Sequence, residues 1–565
     1  MLKDIDWIKA ALLCGMGICI LLLLREWDAF VPPNTINPDA DRAEVTQPGV
    51  LSPPTDNIAN DEIPFTAPAP SINSSGLDPV QPPPSLSAIS NSQLIEVKTD
   101  VLDLKIDLNG GDFVQAELIE YHQALDNDIP FRLLDRSAIH TYVAKSGLLL
   151  NQGSAFGALR PSYQSQSNYY ELTPGQESLV VELVSQTEAY VLTKRLVFRP
   201  GDYLIDVEHE IRNLSGQNWQ GALFAQIDRD DLRPPSNTGF GMKPYVGAAV
   251  TQPDKRYNKI DFEDMEESTT FSPVETGWVA LLQHYFLSAW VPSADQSLAY
   301  DLGKYSGKNL YYLGFTQPAF DIPAGQSKTV SAGFYVGPKD QYRLQEISEH
   351  LNLTVDYGFL WWAAQPLYWV LQKIHSFVGN WGITIILLTC VVKLAFFPLS
   401  AASYRSMARM RKLTPKMQAL KERYGDDRQA LSQETMKLYQ KEKVNPLGGC
   451  LPILIQMPIF MALYWVLMES VEIRHAPFFG WIQDLSAKDP WYILPILMGV
   501  SMVVQQRLNP TPPDPMQAKV MQFMPIMFAV MMAFFPAGLV LYWTSNNLLS
   551  IAQQWTITKR IEAED

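Results

Sequence analysis

The stretch His375–Ser400, HSFVGNWGITIILLTCVVKLAFFPLS, constrains this chain more than any other. From Ile383 it is an unbroken apolar run except for one cation, Lys393, and Pro398 closes it just before a long basic segment. A run of that kind suits a bilayer. Everything upstream reads as extracytoplasmic, and everything downstream as further spans joined by a basic cytoplasmic loop. A lysine in mid-span costs about 2.5–3.5 kcal/mol on insertion scales. Lys393 stands seven residues before Ser400, about 10 Å along a helix at 1.5 Å per residue. Its stem can recover part of that distance by snorkelling. Snorkelling and a functional cation both remain open on these grounds.

At 565 residues the chain exceeds one ordinary domain. Its net charge of −15 argues against a nucleic-acid binder, which needs a basic face. The charge is unevenly spread: residues 400–446 hold eleven Lys or Arg against five Asp or Glu, an asymmetry that signals topology in a membrane protein. Cys14, Cys19, Cys390 and Cys450 all lie in or beside apolar segments. They offer neither a disulfide framework nor a zinc spacing.

An apolar segment, Ile8–Leu24, has Lys3 and Lys9 at its N-terminal end, which keeps the N terminus cytoplasmic. No small-x-small cleavage site follows it, so residues 1–30 read as an uncleaved anchor. Residues 31–90 carry thirteen prolines and many polar residues, and read as a disordered periplasmic tether. From Leu94 to Val336 the texture is that of strands. Leu102, Leu104, Ile106 and Leu108 alternate with polar residues, and turn dipeptides such as Asn109-Gly110 and Pro200-Gly201 separate the runs. Residues 91–340 are therefore expected to form a large antiparallel β-sandwich. His122, His140, His209 and His284 have no metal spacing and read as structural or surface histidines. Residues 341–380 read as amphipathic or interfacial helices: Pro338–Asp356 as a short one, and Phe359–Val378, broken by Pro366, as one lying at headgroup level.

The remainder, 381–556, reads as a membrane core with spans near 381–399, 447–469, 491–508, 518–535 and 537–556, and a polar tail at 557–565. Between the first two, residues 400–446 form a helical hairpin. Tyr404, Met407, Met410, Leu413, Met417, Leu420 and Tyr424 make one apolar stripe along it, broken at Gly425-Asp426-Asp427. A solvated hairpin and a docking surface for acidic partners or lipid headgroups are equally consistent with it. Counting the N-terminal anchor gives six spans with both termini cytoplasmic, the basic hairpin inside and the acidic β domain outside. A further span at 359–378 would reverse the hairpin and violate the positive-inside rule. The spans are polar for anchors. Gln456 lies in one, and the last carries Tyr542, Asn546 and Gln553 on one face at spacings of four and seven. Interhelical hydrogen bonding explains such groups; together with a lysine they suit the lining of a wet cavity.

NPLGGCLPILIQMPIFMALYWVLMESVEIRHAPF (Asn445–Phe478), DPWYILPILMGVSM (Asp489–Met502) and FPAGLVLYW (Phe535–Trp543) closely resemble the YidC membrane protein insertase family of Gram-negative bacteria. The resemblance covers 375–556, and the anchor, tether and β domain occur in matching order. It implies a non-enzymatic, cofactor-free insertase and foldase of the inner membrane, whose five-helix core encloses a hydrophilic groove closed towards the periplasm. The groove's central cation maps onto Lys393, where the family usually carries Arg. Lysine keeps the charge but loses the planar, bidentate fork. Trp543 falls at the aromatic groove position, so the candidate groove is Lys393, Gln456, Tyr542, Trp543 and Asn546. Tyr404 and Asp426 match hairpin positions tied to activity. Implied partners are nascent membrane proteins, the lipid bilayer, the Sec translocon with its accessory subunits, the ribosome and the signal recognition particle receptor. No nucleic acid binding of its own is implied, and no GxxxxGK[ST] motif is present.

Two rival readings deserve weighing. A membrane-tethered periplasmic carbohydrate-binding or carbohydrate-processing protein would need paired acids and a histidine in a cleft of the β domain. A secondary transporter would need inverted repeats, which the five downstream spans do not display.

Overall fold

In the computed structural model the described residues are 94–151, 156–232, 244–252, 255–266, 269–274, 277–293, 297–425, 427–442, 451–509 and 515–563. The expected anchor 1–30, the tether 31–90 and Asp426 lie outside them.

Among the described residues of 94–338, strands form two sheets, one of twelve strands and one of nine. The period of two seen in the sequence is what buries them. In Leu102–Asp107, Leu102, Leu104 and Ile106 face inwards, and in Leu204–Asn213, Ile205, Val207 and Ile211 do the same. Among the described strands the pairing is antiparallel except between Leu94–Lys98 and Tyr169–Glu171. Between the sheets Phe113 stacks on Phe334 at 5.0 Å, and Trp290 meets the same ring at 4.6 Å.

Strand Tyr190–Phe198 carries a lysine on this inward face. Lys194, flanked there by Leu192 and Leu196, is 0 % exposed. Its Nζ donates to the Gly111 carbonyl at 2.7 Å and the Ser146 carbonyl at 3.3 Å, and lies 5.9 Å from the Phe113 ring centroid. Gly111 has φ +68°, and a Cβ there would come within 2.9 Å of the Lys194 stem, so glycine is required twice over. Burial pushes the Lys194 ammonium down to about 7. His209, equally buried, meets Ser146 Oγ at 3.2 Å, and burial drives its pKa well below the usual imidazole range.

After the last strand, Asp340 caps helix α1 (Gln341–Ile347), accepting from the backbone N–H groups of Tyr342 and Arg343. The single amphipathic helix expected over Pro338–Asp356 is instead two pieces. His350 adopts φ 67°, which no helix continues through, and a short 3-10 turn, Leu351–Thr354, follows. Helix α2 (Trp361–Val378) runs straight past Pro366, burying Ala364, Tyr368 and Leu371 while Trp361, Trp362, Trp369 and Phe377 stay exposed.

Helix α3 (Trp381–Ala395) is capped by the Asn380 side chain and ends four residues earlier than the expected span 381–399. Pro398 accounts for this: proline fits the first turn of a helix, not its interior, so a new helix α4 (Phe397–Tyr424) starts there, bent 70° from α3. The expected stripe is observed on α4, with Tyr404, Met407 and Leu413 buried. Helix α5 (Arg428–Lys441) folds back on α4, with the Tyr439 hydroxyl 3.3 Å from Met417 Sδ and Lys416 paired to Glu442 at 2.7 Å. Four more helices remain to be placed in order: α6 (Leu451–Glu469), α7 (Ile493–Leu508), α8 (Pro515–Met532) and α9 (Ala537–Ala563). The last runs seven residues beyond the expected span 537–556 and takes in most of the expected tail.

Helix α9 is the centre of the bundle, packed against α3, α4, α6 and α7, with α2 alongside α3 and α6. Its start is pinned because the Ala537 and Gly538 N–H groups donate to the carbonyls of Ala487 and Leu485 at 2.7 and 2.9 Å. Among the described residues no single helix is long and apolar enough to cross a membrane, while the bent pair α3–α4 meets that requirement together.

Candidate functional site

The last turn of α3 turns Lys393 inwards, to 9 % exposure. Its Nζ donates to Ser550 Oγ at 2.7 Å, and Ser550 in turn donates to the Asn546 carbonyl at 2.7 Å. The Ser550 hydroxyl also lies within hydrogen-bonding reach of Tyr404, on α4 just past the bend. Among the described residues no carboxylate pairs with Lys393. Lys393 also belongs to the last turn of α3, the end where the helix dipole favours a cation.

One helical step of four links this cluster to a second. Tyr542, Asn546 and Ser550 stand four residues apart on α9 and so share a face. The Tyr542 hydroxyl accepts from Gln456 Nε2 of α6. Trp543 lies edge-on to Phe460 at 4.5 Å and tilted against Phe528 at 4.8 Å. Several polar atoms here have no partner in the protein: Asn546 Oδ1, Gln553 Oε1, Gln554 Oε1 and Trp543 Nε1. Buried polar atoms without partners are costly, so this face is suited to polar groups from elsewhere, water or a polypeptide.

Lys393, Asn546 and Tyr404 are thus brought to one hydroxyl, and Gln456, Tyr542 and Trp543 form the adjoining cluster. Asp426 lies outside the described residues. Ser550 escaped the sequence reading although its spacing, four beyond Asn546 and eight beyond Tyr542, points to it. Asn547, whose side chain donates to Ser501 Oγ on α7 at 3.1 Å, is a helix-to-helix tie.

Elsewhere the chemistry is thin. Among the described residues no group of three or more His, Cys, Asp or Glu is placed to hold a metal ion. In the β domain a cleft of about 580 Å³ is lined by Glu266, Lys304–Asn309. Its carboxylate, Glu266, is paired with Lys304 at 2.9 Å, so the cleft lacks the two acids of a glycosidase. His140 instead pairs with Asp230 at 2.9 Å, and His284 supports a backbone carbonyl.

Two family models match the sequence. One, described as the 60Kd inner membrane protein, matches residues 373–564, and the other, described as the YidC periplasmic domain, matches residues 94–370. A membrane protein insertase YidC of Cellvibrio japonicus (strain Ueda107) is 48% identical over 561 residues, covering 99% of both chains. That of Stutzerimonas stutzeri (strain A1501) is 49% identical over 560 residues, covering 98% of both. A solved structure of an active YidC insertase with its first transmembrane domain resolved is 18% identical, with 82% of this chain and 92% of that one covered, at a TM-score of 0.37.

Proposed function

The chain belongs to the YidC family of membrane protein insertases, and we propose that it performs insertion through the polar face of α9 and the cation Lys393 opposite it. It is an inner-membrane insertase with a β-rich periplasmic domain, and its substrates are nascent membrane proteins.

The observation that carries the site is Lys393 itself: a buried ammonium with three donors, held by a single hydroxyl beside polar atoms that have no partner. In the proposed mechanism, a hydrophilic tail of the substrate replaces its lost water contacts with Asn546, Gln553, Trp543 and the Gln456–Tyr542 pair. An acidic residue on the tail displaces Ser550 from Lys393 and pairs with the ammonium. The neighbouring apolar segment meanwhile partitions into lipid at about 25 cal/mol per Å² of apolar surface, which draws the tail across. A membrane potential adds about 2.3 kcal/mol per charge per 100 mV for an acidic tail moving outwards. The step breaks no covalent bond.

The proposed topology has six spans, with the anchor 1–30 as the first and both termini cytoplasmic. Helix α3 is 15 residues long, about 22 Å at 1.5 Å per residue and short of the roughly 30 Å hydrocarbon core. It therefore completes its crossing with the first turns of α4, which bring Tyr404 to the rim. The hairpin α4–α5 is cytoplasmic, where its basic charge accords with the positive-inside rule. There it meets anionic headgroups or the partners that deliver substrates: the ribosome, the signal recognition particle receptor, and the Sec translocon with its accessory subunits.

The test is insertion of a single-span substrate with an acidic tail by Lys393→Ala, Lys393→Glu and Lys393→Arg variants in vesicles. Arg is expected to support insertion, and Ala and Glu to lose it. Normal insertion by both Ala and Glu variants would sink charge capture. Deleting most of 94–336 separates this reading from a carbohydrate-processing one, which predicts that the activity is lost with the β domain.

A further inference from the structure

The short segment that ends α6 and continues beyond it, Met468–Arg474, is gripped from two sides. From the β domain, His284 Nε2 meets the Met468 carbonyl at 2.8 Å. Burial holds that imidazole neutral, at about 3, so its N–H is the donor. Lys339, at the end of the last strand, pairs with Glu469 at 3.5 Å, both side chains being nearly inaccessible. Arg474 Nη2 donates to the His122 carbonyl at 2.5 Å and the Gln123 carbonyl at 3.3 Å. Its guanidinium also sits 5.6 Å from the ring centroids of both Phe131 and Phe286, which stack on each other at 4.3 Å. From the other side, the Tyr368 hydroxyl of α2 donates to Glu472 Oε1 at 2.6 Å, with Gln372 Nε2 at 3.3 Å.

Domains of one chain ordinarily move relative to each other unless their interface is large and apolar. This contact is built instead from buried charges, each of which is costly without its partner, and from a cation set against a stacked pair of aromatic rings. Such contacts fix one orientation: any swing of the β domain strands Arg474, Lys339 and Glu469 together. We infer that Met468–Arg474 is a joint that makes the β domain, α2 and α6 move as one rigid body. A partner seated on the β domain then acts directly on the helix that carries Gln456. This goes beyond the insertion reading and stands independently of it.

The experiment measures the distance distribution between spin labels at Ser178→Cys in the β domain and Leu454→Cys on α6. It uses the full chain in lipid vesicles, with native cysteines replaced. The unaltered joint is expected to give one narrow distribution. Arg474→Ala combined with Lys339→Met should broaden it at least twofold, and Arg474→Lys alone should broaden it less. Unchanged melting of the β domain separates a loosened joint from unfolding. Should the double variant fail to fold, Glu472→Gln with Tyr368→Phe, which cuts the α2 side, serves instead with the second label at Trp369→Cys. A broad distribution in the unaltered protein, or one as narrow in these variants, would overturn the inference whatever the insertion assay reports.

Discussion

Two of the buried lysines, Lys194 and Lys393, lack a carboxylate partner among the described residues and are satisfied to different degrees. Lys194 lies between the sheets of the β domain, donating to two backbone carbonyls beside an aromatic face. Lys393 lies among helices with one serine hydroxyl for company. Among the described residues neither has a carboxylate at hydrogen-bonding distance. The carbonyls around Lys194 are fixed parts of the fold and leave no room for a guest. The hydroxyl holding Lys393 can turn away, and unpartnered polar atoms lie along the same helix face. A buried charge is therefore not by itself a site. What separates the structural lysine from the one proposed to capture substrate is how firmly its hydrogen bonds are already committed.

The sharpest way to break this comparison is charge reversal. Unit charges 4 Å apart interact by about 4 kcal/mol at an effective dielectric of 20. Lys393→Glu turns that attraction into repulsion and should lower insertion of acidic-tail substrates at least ~100-fold, while leaving β-domain melting unchanged. If insertion were unchanged, the two lysines would be of one kind.

The second prediction concerns pH. The folded pKa of Lys194, about 7, lies below its ordinary 10.5. Between those values the unfolded chain holds a proton that the fold rejects, so stability rises with pH by up to ~1.4 kcal/mol per unit. That gain is lost as pH falls through about 7. The window to measure is pH 7–9.5, below the range where the buried tyrosines, whose pKa values are raised, act in the opposite sense. Thermal melting of the β domain should show this slope, and Lys194→Met should flatten it. The same variant should melt higher than the native domain at pH 6.5, because it no longer buries a charge, and should insert substrates normally. A lower melting point at pH 6.5 would show that the two carbonyls need the amine more than the core resents it.

The smallest effect is expected at Ser550. A hydrogen bond between helices in a bilayer contributes about 0.6 kcal/mol. Ser550→Ala should then slow insertion no more than about threefold. A loss comparable to that of Lys393→Glu would mean that the hydroxyl, not the cation, is the working group.

The sequence announces most of this architecture through periodicity, and it falls silent where long-range contacts decide. The alternation in Leu102–Asp107 identifies a strand, and the four-residue steps of Tyr542 and Asn546 identify a face of α9. Lys194 was equally legible, because Leu192, Lys194 and Leu196 alternate on one side of a strand, but a lysine is read as exposed by default. Pro398 reads as the close of a span, whereas it opens the next helix and the chain bends at Phe396. The left-handed residue His350 carries no sequence signal, since histidine there is an uncommon choice. That Lys393 meets Ser550, and Arg474 meets His122, depends on packing between segments far apart in the chain.

Lys393 and Ser550 are 157 residues apart, and α9 is made well after α3. At a synthesis rate of about 5–20 residues per second, a new copy carries its cation for roughly 8–30 s before the opposing wall exists. During that interval the lysine has no hydroxyl to hold it and the polar face is missing. A truncated or stalled copy thus has no groove at all. On the proposed reading, the polar face opposite the cation is complete only once α9 has been made.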